Sequence, residues 1–142
     1  MSKVRFLVVT TSRADYGILY PLLKAMEQDE SFELLIAVTG SHLSKEYGYT
    51  LDEIICDGFK ADVLVDMNPK DDSSLEISNS ISKGILGFAE SYKRLSPDGV
   101  IVLGDRYELY AACIPALIAR IPIVHIHGGE VTKGAMDDAI RH

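Results

Sequence analysis

Five short apolar runs, each followed by a polar turn, constrain the fold of this chain more than any other feature. They read VRFLVV at 4–9, FELLIAVT at 32–39, ADVLV at 61–65, GVIVL at 99–103 and IPIV at 121–124. Such runs are typical of parallel strands that are buried on both faces. Because segments with helical spacing separate them, the sequence predicts an α/β fold, a doubly wound, Rossmann-like parallel sheet with right-handed crossovers.

Four connecting segments carry apolar residues at helical spacing. In the first, Pro21 fits near the first helical turn. In the third, Gly84 and Gly87 weaken the helix but permit close packing against a neighbour. The polar stretch 68–74 is predicted to be a loop, either a mobile lid or a long connection. The predicted helices carry Leu19 to Met26, Leu51 to Cys56, Leu75 to Leu95, and Leu109 to Arg120.

The charge of the chain argues against two classes of partner. Its 142 residues include 14 basic and 21 acidic side chains, a formal net charge of −7. This acidity argues against a nucleic-acid or anionic-membrane surface, although a few fixed arginines could hold an anionic small ligand. Cys56 and Cys113 stand in no metal-ligand spacing, which predicts two reduced, buried thiols. Since no apolar run is long enough for a signal peptide or a membrane span, we expect one cytoplasmic domain.

The first polar turn, TTSRADYG at 10–17, places hydroxyls and backbone amides at the start of a predicted helix. Such groups form a natural seat for an anion. Arg13 is therefore predicted to contact an anion; alternatively, it pairs with Asp15. The turn has no GxGxxG pattern and no Walker lysine, which excludes a standard dinucleotide or nucleoside-triphosphate loop.

Polar side chains also follow the second and fourth runs. His42 follows the second run and is a candidate ligand contact, although a lone loop histidine could simply be solvated. Asp105 and Arg106 follow the fourth run, after a glycine that lets the backbone turn sharply. The alternative is that Asp105 caps the next helix while Arg106 pairs with Glu108.

The last stretch, HIHGGEVTKGAMDDAIRH at 125–142, gathers histidines, glycines and carboxylates in one segment. Its glycines could form only a tight turn, and Asp137 and Asp138 could only open a helix. Because ligands bind at the carboxyl edge of open α/β sheets, we favour a site that includes His127 and Glu130. We therefore expect this stretch and the Asp105 turn to face one crevice.

Four of these segments, TSRADYGIL, TGSHLS, GDRYE and HIHGGEVTKGAMDDAIRH, resemble motifs of the UDP-N-acetylglucosamine 2-epimerase family. The similarity is greatest to its hydrolysing branch, which makes N-acetylmannosamine for sialic acid. Non-hydrolysing members carry a glutamate where this chain has His127, which favours the hydrolysing branch. The resemblance implies the two Rossmann-like domains of the glycosyltransferase-B fold, with residues 1–142 as the N-terminal domain and the C-terminal nucleotide-binding domain absent from this chain.

The resemblance also implies a reaction on a UDP-sugar. Family members eliminate UDP to give a glycal with a double bond between C1 and C2, and hydrolysing members then add water to release the 2-epimer. The expected catalytic carboxylates are Asp105, Glu130 and an acid of the pair Asp137 and Asp138. The expected substrate contacts are Arg13, His42, Arg106 and His127. Which carboxylate is the base stays open, and the resemblance implies no metal, no cofactor and a homo-oligomeric full-length enzyme, a dimer or tetramer.

Several alternatives stay open. The sugar could be a 6-deoxy-2,4-diacetamido hexose, and the enzyme could be non-hydrolysing. The chain could instead be a glycosyltransferase-B glycosyltransferase domain, which needs an acceptor, or a non-catalytic nucleotide-binding module. A crevice with one wall binds a UDP-sugar weakly, so we expect the 142-residue chain to be inactive alone.

Overall fold

In the part of the chain that the structure describes, the predicted parallel sheet forms, with five strands in the order β3-β2-β1-β4-β5. A computed structural model of the chain describes residues 3–127. Every strand pair in that range is parallel. The order places the first strand in the middle and reverses the winding there, which is the doubly wound arrangement that the sequence predicts. The strands are β1 (Val4–Thr10), β2 (Phe32–Thr39), β3 (Val63–Val65), β4 (Gly99–Leu103) and β5 (Ile123–Ile126).

Four α-helices connect the strands, near the predicted positions. The first begins earlier than predicted because Ser12 caps it, accepting a hydrogen bond from the backbone N–H of Asp15. Pro21 therefore lies inside this helix and not in its first turn, so the predicted role of Pro21 is wrong. The helices are α1 (Arg13–Gln28), α2 (Leu51–Cys56), α3 (Ser74–Leu95) and α4 (Glu108–Ile118).

Alternate residues of each strand point to opposite faces of the sheet and fill two separate cores. On one face, Val8 and Ile36 pack beneath α1 and α2. On the other face, Leu7 and Val102 pack beneath α3 and α4. Burial on both faces explains why the strands read as continuous apolar runs rather than as alternating ones.

The two glycines of α3 allow the close packing that the sequence predicts. A Cβ on Gly84 would lie 2.5 Å from Met67 Sδ and 2.7 Å from Ala111 Cβ. A Cβ on Gly87 would lie 3.0 Å from Val65 Cγ1. The methionine can move aside, but the alanine moves only with the backbone of α4. Gly84 therefore sets the separation of α3 and α4.

Replacing Gly84 with alanine is expected to destabilise the fold by about 1–3 kcal/mol, because the added methyl overpacks the contact between α3 and α4. Gly17 is the matched control, since it is also helical but a Cβ added there would meet nothing within 4 Å. Gly17→Ala should stabilise by about 0.5–1 kcal/mol through helix propensity. Urea denaturation of both variants measures the difference. If the two substitutions changed the unfolding free energy equally and in the same direction, Gly84 would not be needed for the close packing of α3 against α4.

The last strand begins two residues later than the sequence predicts. Arg120 has a φ of +59°, and the N–H of Ile121 bonds to the carbonyl of Ala116 at 2.8 Å, so these residues complete the end of α4. Pro122 has no N–H to donate to the sheet, although its carbonyl accepts from Val100 at 2.9 Å. The prediction of a strand at 121–124 is corrected to Ile123–Ile126. His125 consequently lies in the sheet and not in the following loop.

Three predicted carboxylates, Glu130, Asp137 and Asp138, lie outside the described residues, as does the helix expected near the end of the chain. The expectation that Glu130 and Asp105 face one crevice therefore stays a prediction. Within residues 3–127, no helix combines the length and apolar composition needed to cross a bilayer. Cys56 is exposed at the end of α2 and Cys113 is half-buried, so the prediction of two buried thiols is wrong.

Candidate active site

A cleft of about 560 Å³ opens at the carboxyl edge of the sheet. Its walls come from the turns that follow β2, β3 and β4, because parallel strands deliver their following turns to the same edge. The sequence predicts Arg106 for this edge, and the structure places it in the cleft wall. The lining residues are Ser41, Ser44, Glu46, Tyr47, Asn68, Pro69, Lys70, Asp71, Asp72, Arg106, Tyr107 and Glu108.

The turn after β4 carries the GDRYE motif, for which the sequence left two interpretations: a ligand site, or a helix cap with an ion pair. Arg106 does pair with Glu108, with Nη2 lying 3.2 Å from Oε1. Asp105 is not the helix cap, because α4 begins at Glu108 and Tyr107 occupies the cap position without a side-chain bond. Asp105 is half-buried and lies directly before the cleft-lining Arg106. The alternative interpretation is thus correct that Arg106 pairs with Glu108 and wrong that Asp105 caps the helix.

In the first turn, threonine donors that could bind an anion instead bind a carboxylate of the protein. The Asp15 carboxylate accepts hydrogen bonds from the hydroxyls of Thr10 and Thr11 and from the backbone N–H of Thr11, the last at 2.9 Å. An external anion at these donors would have to displace a fixed carboxylate. These threonine donors are therefore not an open anion site, while an anion contact at the backbone amides that begin α1 stays a prediction.

Arg13 does not pair with Asp15, the alternative that the sequence left open. It lies in the first turn of α1, and its Nε is 3.4 Å from an oxygen of Glu53. The side chain is 75% exposed, so the ion pair is weakly held and the guanidinium can reach other partners. Its contact with an anionic substrate stays a prediction.

His42 is fully buried, so the interpretation of a solvated loop histidine is wrong. The hydroxyl of Thr10 donates to Asp15, so its oxygen accepts from His42 Nε2–H at 2.9 Å. A neutral ring then accepts from the Thr50 hydroxyl at Nδ1, at 2.7 Å. In this structure His42 ties the turn after β2 to β1 beneath the cleft. Its predicted contact with substrate stays a prediction.

The UDP-N-acetylglucosamine 2-epimerase family matches residues 24–142 of this sequence. The chain belongs to this family. Among family relatives, the hydrolysing UDP-N,N'-diacetylbacillosamine 2-epimerase of Legionella pneumophila is 39% identical over 97% of this chain. The polysialic acid biosynthesis protein P7 of Escherichia coli is 40% identical over 97% of this chain. This chain spans only 36% and 35% of the lengths of those two proteins.

The fold agrees with that of solved epimerases. The crystal structure of UDP-GlcNAc 2-epimerase from Neisseria meningitidis bound to UDP-GlcNAc superposes with a TM-score of 0.79, at 23% identity, over 97% of this chain and 36% of that one. The predicted fold class is thereby confirmed as the N-terminal half of the glycosyltransferase-B arrangement. At this level of identity the superposition supports the fold alone.

The end of β5 is tied to the turn after β4 in this epimerase-family chain. His125 Nε2 donates to the carbonyl of Gly104 at 2.6 Å, and the N–H of Gly104 donates to the carbonyl of Ile126 at 2.9 Å. His127 follows at once, exposed and with a φ of +60°. The substrate contact predicted for His127 stays a prediction, but its backbone lies beside the Asp105 turn.

Two cleft residues of this family member, Glu108 and Tyr107, are not among the functional residues that the sequence predicts. Glu108 enters the prediction only as a partner of Arg106, yet it is 2% exposed. Burial, followed by the Glu108 charge, raises the pKa of Tyr107 above its ordinary value. The spacing Arg-x-Glu is the signal that could have identified the glutamate. Within residues 3–127, no group of three His, Cys, Asp or Glu side chains is arranged to hold a metal ion.

The buried histidine makes a pH prediction for this epimerase-family fold. Burial lowers the pKa of His42 below its ordinary value of 6.5, against the opposing charges of Asp15 and Glu53. At a pH between the folded and the unfolded pKa of His42, the unfolded chain binds more protons than the folded chain. The neutral ring therefore contributes its full share of the unfolding free energy above about pH 6.5, and this share is lost as the pH falls through the folded pKa.

His42→Gln should therefore destabilise the fold by about 1–3 kcal/mol near pH 7.5, because Thr10 and Thr50 lose their partner. The difference in unfolding free energy between wild type and variant should narrow as the pH falls towards about 5.5. Chemical denaturation across this range measures it. A difference that stays constant with pH would contradict the assignment of a neutral buried ring.

Proposed function

We propose that this chain forms the N-terminal domain of a hydrolysing nucleotide-sugar 2-epimerase. The enzyme would convert a UDP-2-acetamido sugar and water into the free 2-epimer and UDP. The observation that carries the proposal is the carboxyl-edge cleft, where the GDRYE turn contributes Arg106 to the wall and Asp105 beside it. Membership of the epimerase family supplies the reaction class.

The chemistry needs a placed carboxylate and a neutralised leaving group. The proton on C2 is barely acidic, so its removal requires a base held against it while the diphosphate departs from C1. Asp105 would act with Glu130 and an acid of the pair Asp137 and Asp138, one removing the C2 proton and another protonating the glycal. Arg106 would neutralise charge on the diphosphate in the bound substrate and would keep that contact as the diphosphate departs.

The charge of the cleft supports a division of labour between two domains. Its lining contains four carboxylates, from Glu46, Asp71, Asp72 and Glu108, against two cations, from Lys70 and Arg106. Such a wall suits acid–base chemistry on a sugar better than tight binding of a diphosphate. We therefore propose that residues 1–142 are the sugar-facing domain and that a C-terminal domain supplies most contacts to the nucleotide.

Two sugars are candidates. Membership of the UDP-N-acetylglucosamine 2-epimerase family favours UDP-GlcNAc. The product would then be N-acetylmannosamine, which would supply sialic acid synthesis. The Legionella relative, named for UDP-N,N'-diacetylbacillosamine, favours a UDP-2,4-diacetamido-6-deoxy sugar. Both carry the 2-acetamido group and the C2 proton that the proposed mechanism requires.

The test is a chimera in which this chain replaces the matching 36% of the Legionella protein. The unaltered Legionella protein is the positive control for assembly and assay. Each UDP-sugar is incubated with the chimera in heavy water, without acceptor. We expect UDP release with one deuterium at C2 of the freed sugar, because elimination discards the original proton and hydration supplies a new one.

Other outcomes identify the alternatives. An epimer that keeps its UDP would indicate a non-hydrolysing enzyme. Turnover that requires an added acceptor would indicate a glycosyltransferase. Sugar released without deuterium at C2 would mean simple hydrolysis at C1. A chimera that is folded and binds UDP but releases nothing would reject the proposed function.

A further inference from the structure

Glu108 is a buried acid in the wall of the carboxyl-edge cleft, 2% exposed, in the first turn of α4. A carboxylate without water is stable only when cations or N–H groups surround it. Its partner is Arg106, whose Nε donates to Oε2 at 3.3 Å and whose Nη2 donates to Oε1 at 3.2 Å. Two adjacent donors of one guanidinium thus meet both oxygens of one carboxylate.

This pairing uses two of the five N–H groups of Arg106. The pairing with Glu108 leaves the remaining three N–H groups available to other acceptors, and the side chain is 47% exposed in the cleft wall. Burial lowers the pKa of Arg106, but the charge and hydrogen bonds of Glu108 outweigh it, so the net pKa lies above its ordinary value. Arg106 therefore remains a cation with one edge held and one edge open.

Gly40 packs closely beside Glu108. A Cβ on Gly40 would lie 3.2 Å from Glu108 Oε1 and 2.5 Å from the carbonyl oxygen of Thr11. The turns after β1, β2 and β4 therefore come together at Gly40, with no space there for an additional methyl group. Gly40 borders one side of the glutamate carboxylate, and the bidentate bond of that carboxylate holds the arginine.

The opposite cleft wall contains acids that would otherwise compete for Arg106. Glu46, Asp71 and Asp72 line the same cleft on the turns after β2 and β3. A flexible arginine facing several exposed carboxylates would distribute itself among them. The bidentate bond to Glu108 prevents this, because planar fork geometry holds the guanidinium in one orientation.

We propose that Glu108 is a positioning residue that aligns Arg106 so that its open edge binds a phosphate oxygen of a nucleoside-diphosphate sugar. This inference rests on the proposed function for the identity of the ligand. It assigns to Glu108 an effect on substrate affinity that is transmitted entirely through Arg106, since the carboxylate itself would repel a diphosphate.

The first readout needs no substrate. In the 142-residue chain, heteronuclear NMR measures the rate at which Arg106 Nε–H exchanges with water. Glu108→Gln keeps the shape but removes the charge and one acceptor, and should speed this exchange by about tenfold. Glu33→Gln is the matched control, because it breaks a distant exposed Arg5–Glu33 pair and should leave Arg106 exchange unchanged. Unchanged exchange in Glu108→Gln would overturn the proposal.

The second readout uses the chimera. Glu108→Gln should raise the KM for the UDP-sugar by about tenfold while kcat changes by less than about threefold, because an aligned cation contributes binding to ground and transition states alike. Glu108→Asp keeps the charge but is too short to span both donors, and should raise KM by a smaller factor. Unchanged KM in Glu108→Gln, with thermal melting confirming a folded protein, would overturn substrate positioning.

The two readouts separate failure of the inference from failure of the proposed function. If the unsubstituted chimera does not turn over any UDP-sugar while the Legionella control does, the proposed function fails, and substrate positioning fails with it. The exchange measurement, which needs no ligand, then still decides whether Glu108 orders Arg106.

Discussion

Replacing Asp105 with asparagine should lower turnover of the UDP-sugar by the chimera by about 100- to 10,000-fold, the contribution typical of a positioned acid or base. Asparagine has the same shape but neither accepts nor delivers a proton. Asp105 lies in the turn after β4, between Gly104 and the cleft-lining Arg106, so the sheet edge positions its backbone. UDP release under saturating substrate measures the effect.

Asp72→Asn is the matched control for this experiment. Asp72 also lines the cleft, but it is exposed and lies on the long connection before α3. Its substitution should change turnover by less than about threefold, because the proposed mechanism assigns Asp72 no proton transfer. If Asp105→Asn also stayed within tenfold of the wild type, Asp105 would not be a catalytic carboxylate.

Replacing Gly40 with alanine should destabilise the 142-residue chain by about 2–4 kcal/mol. Gly40 has a φ of +63°, a conformation that a residue with a Cβ rarely adopts. The added methyl would also lie 2.5 Å from the carbonyl oxygen of Thr11, a backbone atom that already accepts from the N–H of Ser41 at 2.9 Å. Relief of this clash requires the turns after β1 and β2 to separate. Guanidinium denaturation measures the loss.

Gly48→Ala separates the two causes. Gly48 has a φ of +85°, but a Cβ added there would meet nothing within 4 Å, so alanine incurs only the conformational term, about 1–2 kcal/mol. The additional loss of unfolding free energy in Gly40→Ala, relative to Gly48→Ala, then measures the cost of the clash between the turns after β1 and β2. If both substitutions destabilise equally, the close approach of Thr11 to Gly40 makes no energetic contribution.

Much of this fold could be predicted from the sequence because strands buried on both faces read as apolar runs. The run IPIV at 121–124 is the exception. It has the apolar character of a strand, yet Ile121 bonds back to the end of α4 and the strand begins only at Ile123, because hydrophobicity alone does not distinguish a buried helix end from a buried strand. The two-residue shift moves His125 from the loop into the sheet.

The site was harder to predict because its contacts join residues distant in sequence. The sequence places His42 correctly after β2, but the burial of His42 depends on Thr10 and Thr50, which no periodicity connects to it. The same holds for Glu108, which lies close to Gly40 of the turn after β2. Local spacing does identify the Arg106–Glu108 pair as an alternative, since the two residues are neighbours on the chain. Long-range packing then decides which local interpretation holds.

The central place of β1 has a consequence for how the polypeptide is made. On the ribosome, β1 can pair with β2 early, but its other edge waits for β4, as the contact between Arg5 and Asp98 spans 93 residues. Until β4 emerges, that edge offers unpaired amides and carbonyls, and the apolar stripe of α3 has no complete sheet beneath it. The nascent chain should therefore be most prone to aggregation, and most dependent on chaperones, in the interval between synthesis of α3 and release of β4 from the exit tunnel.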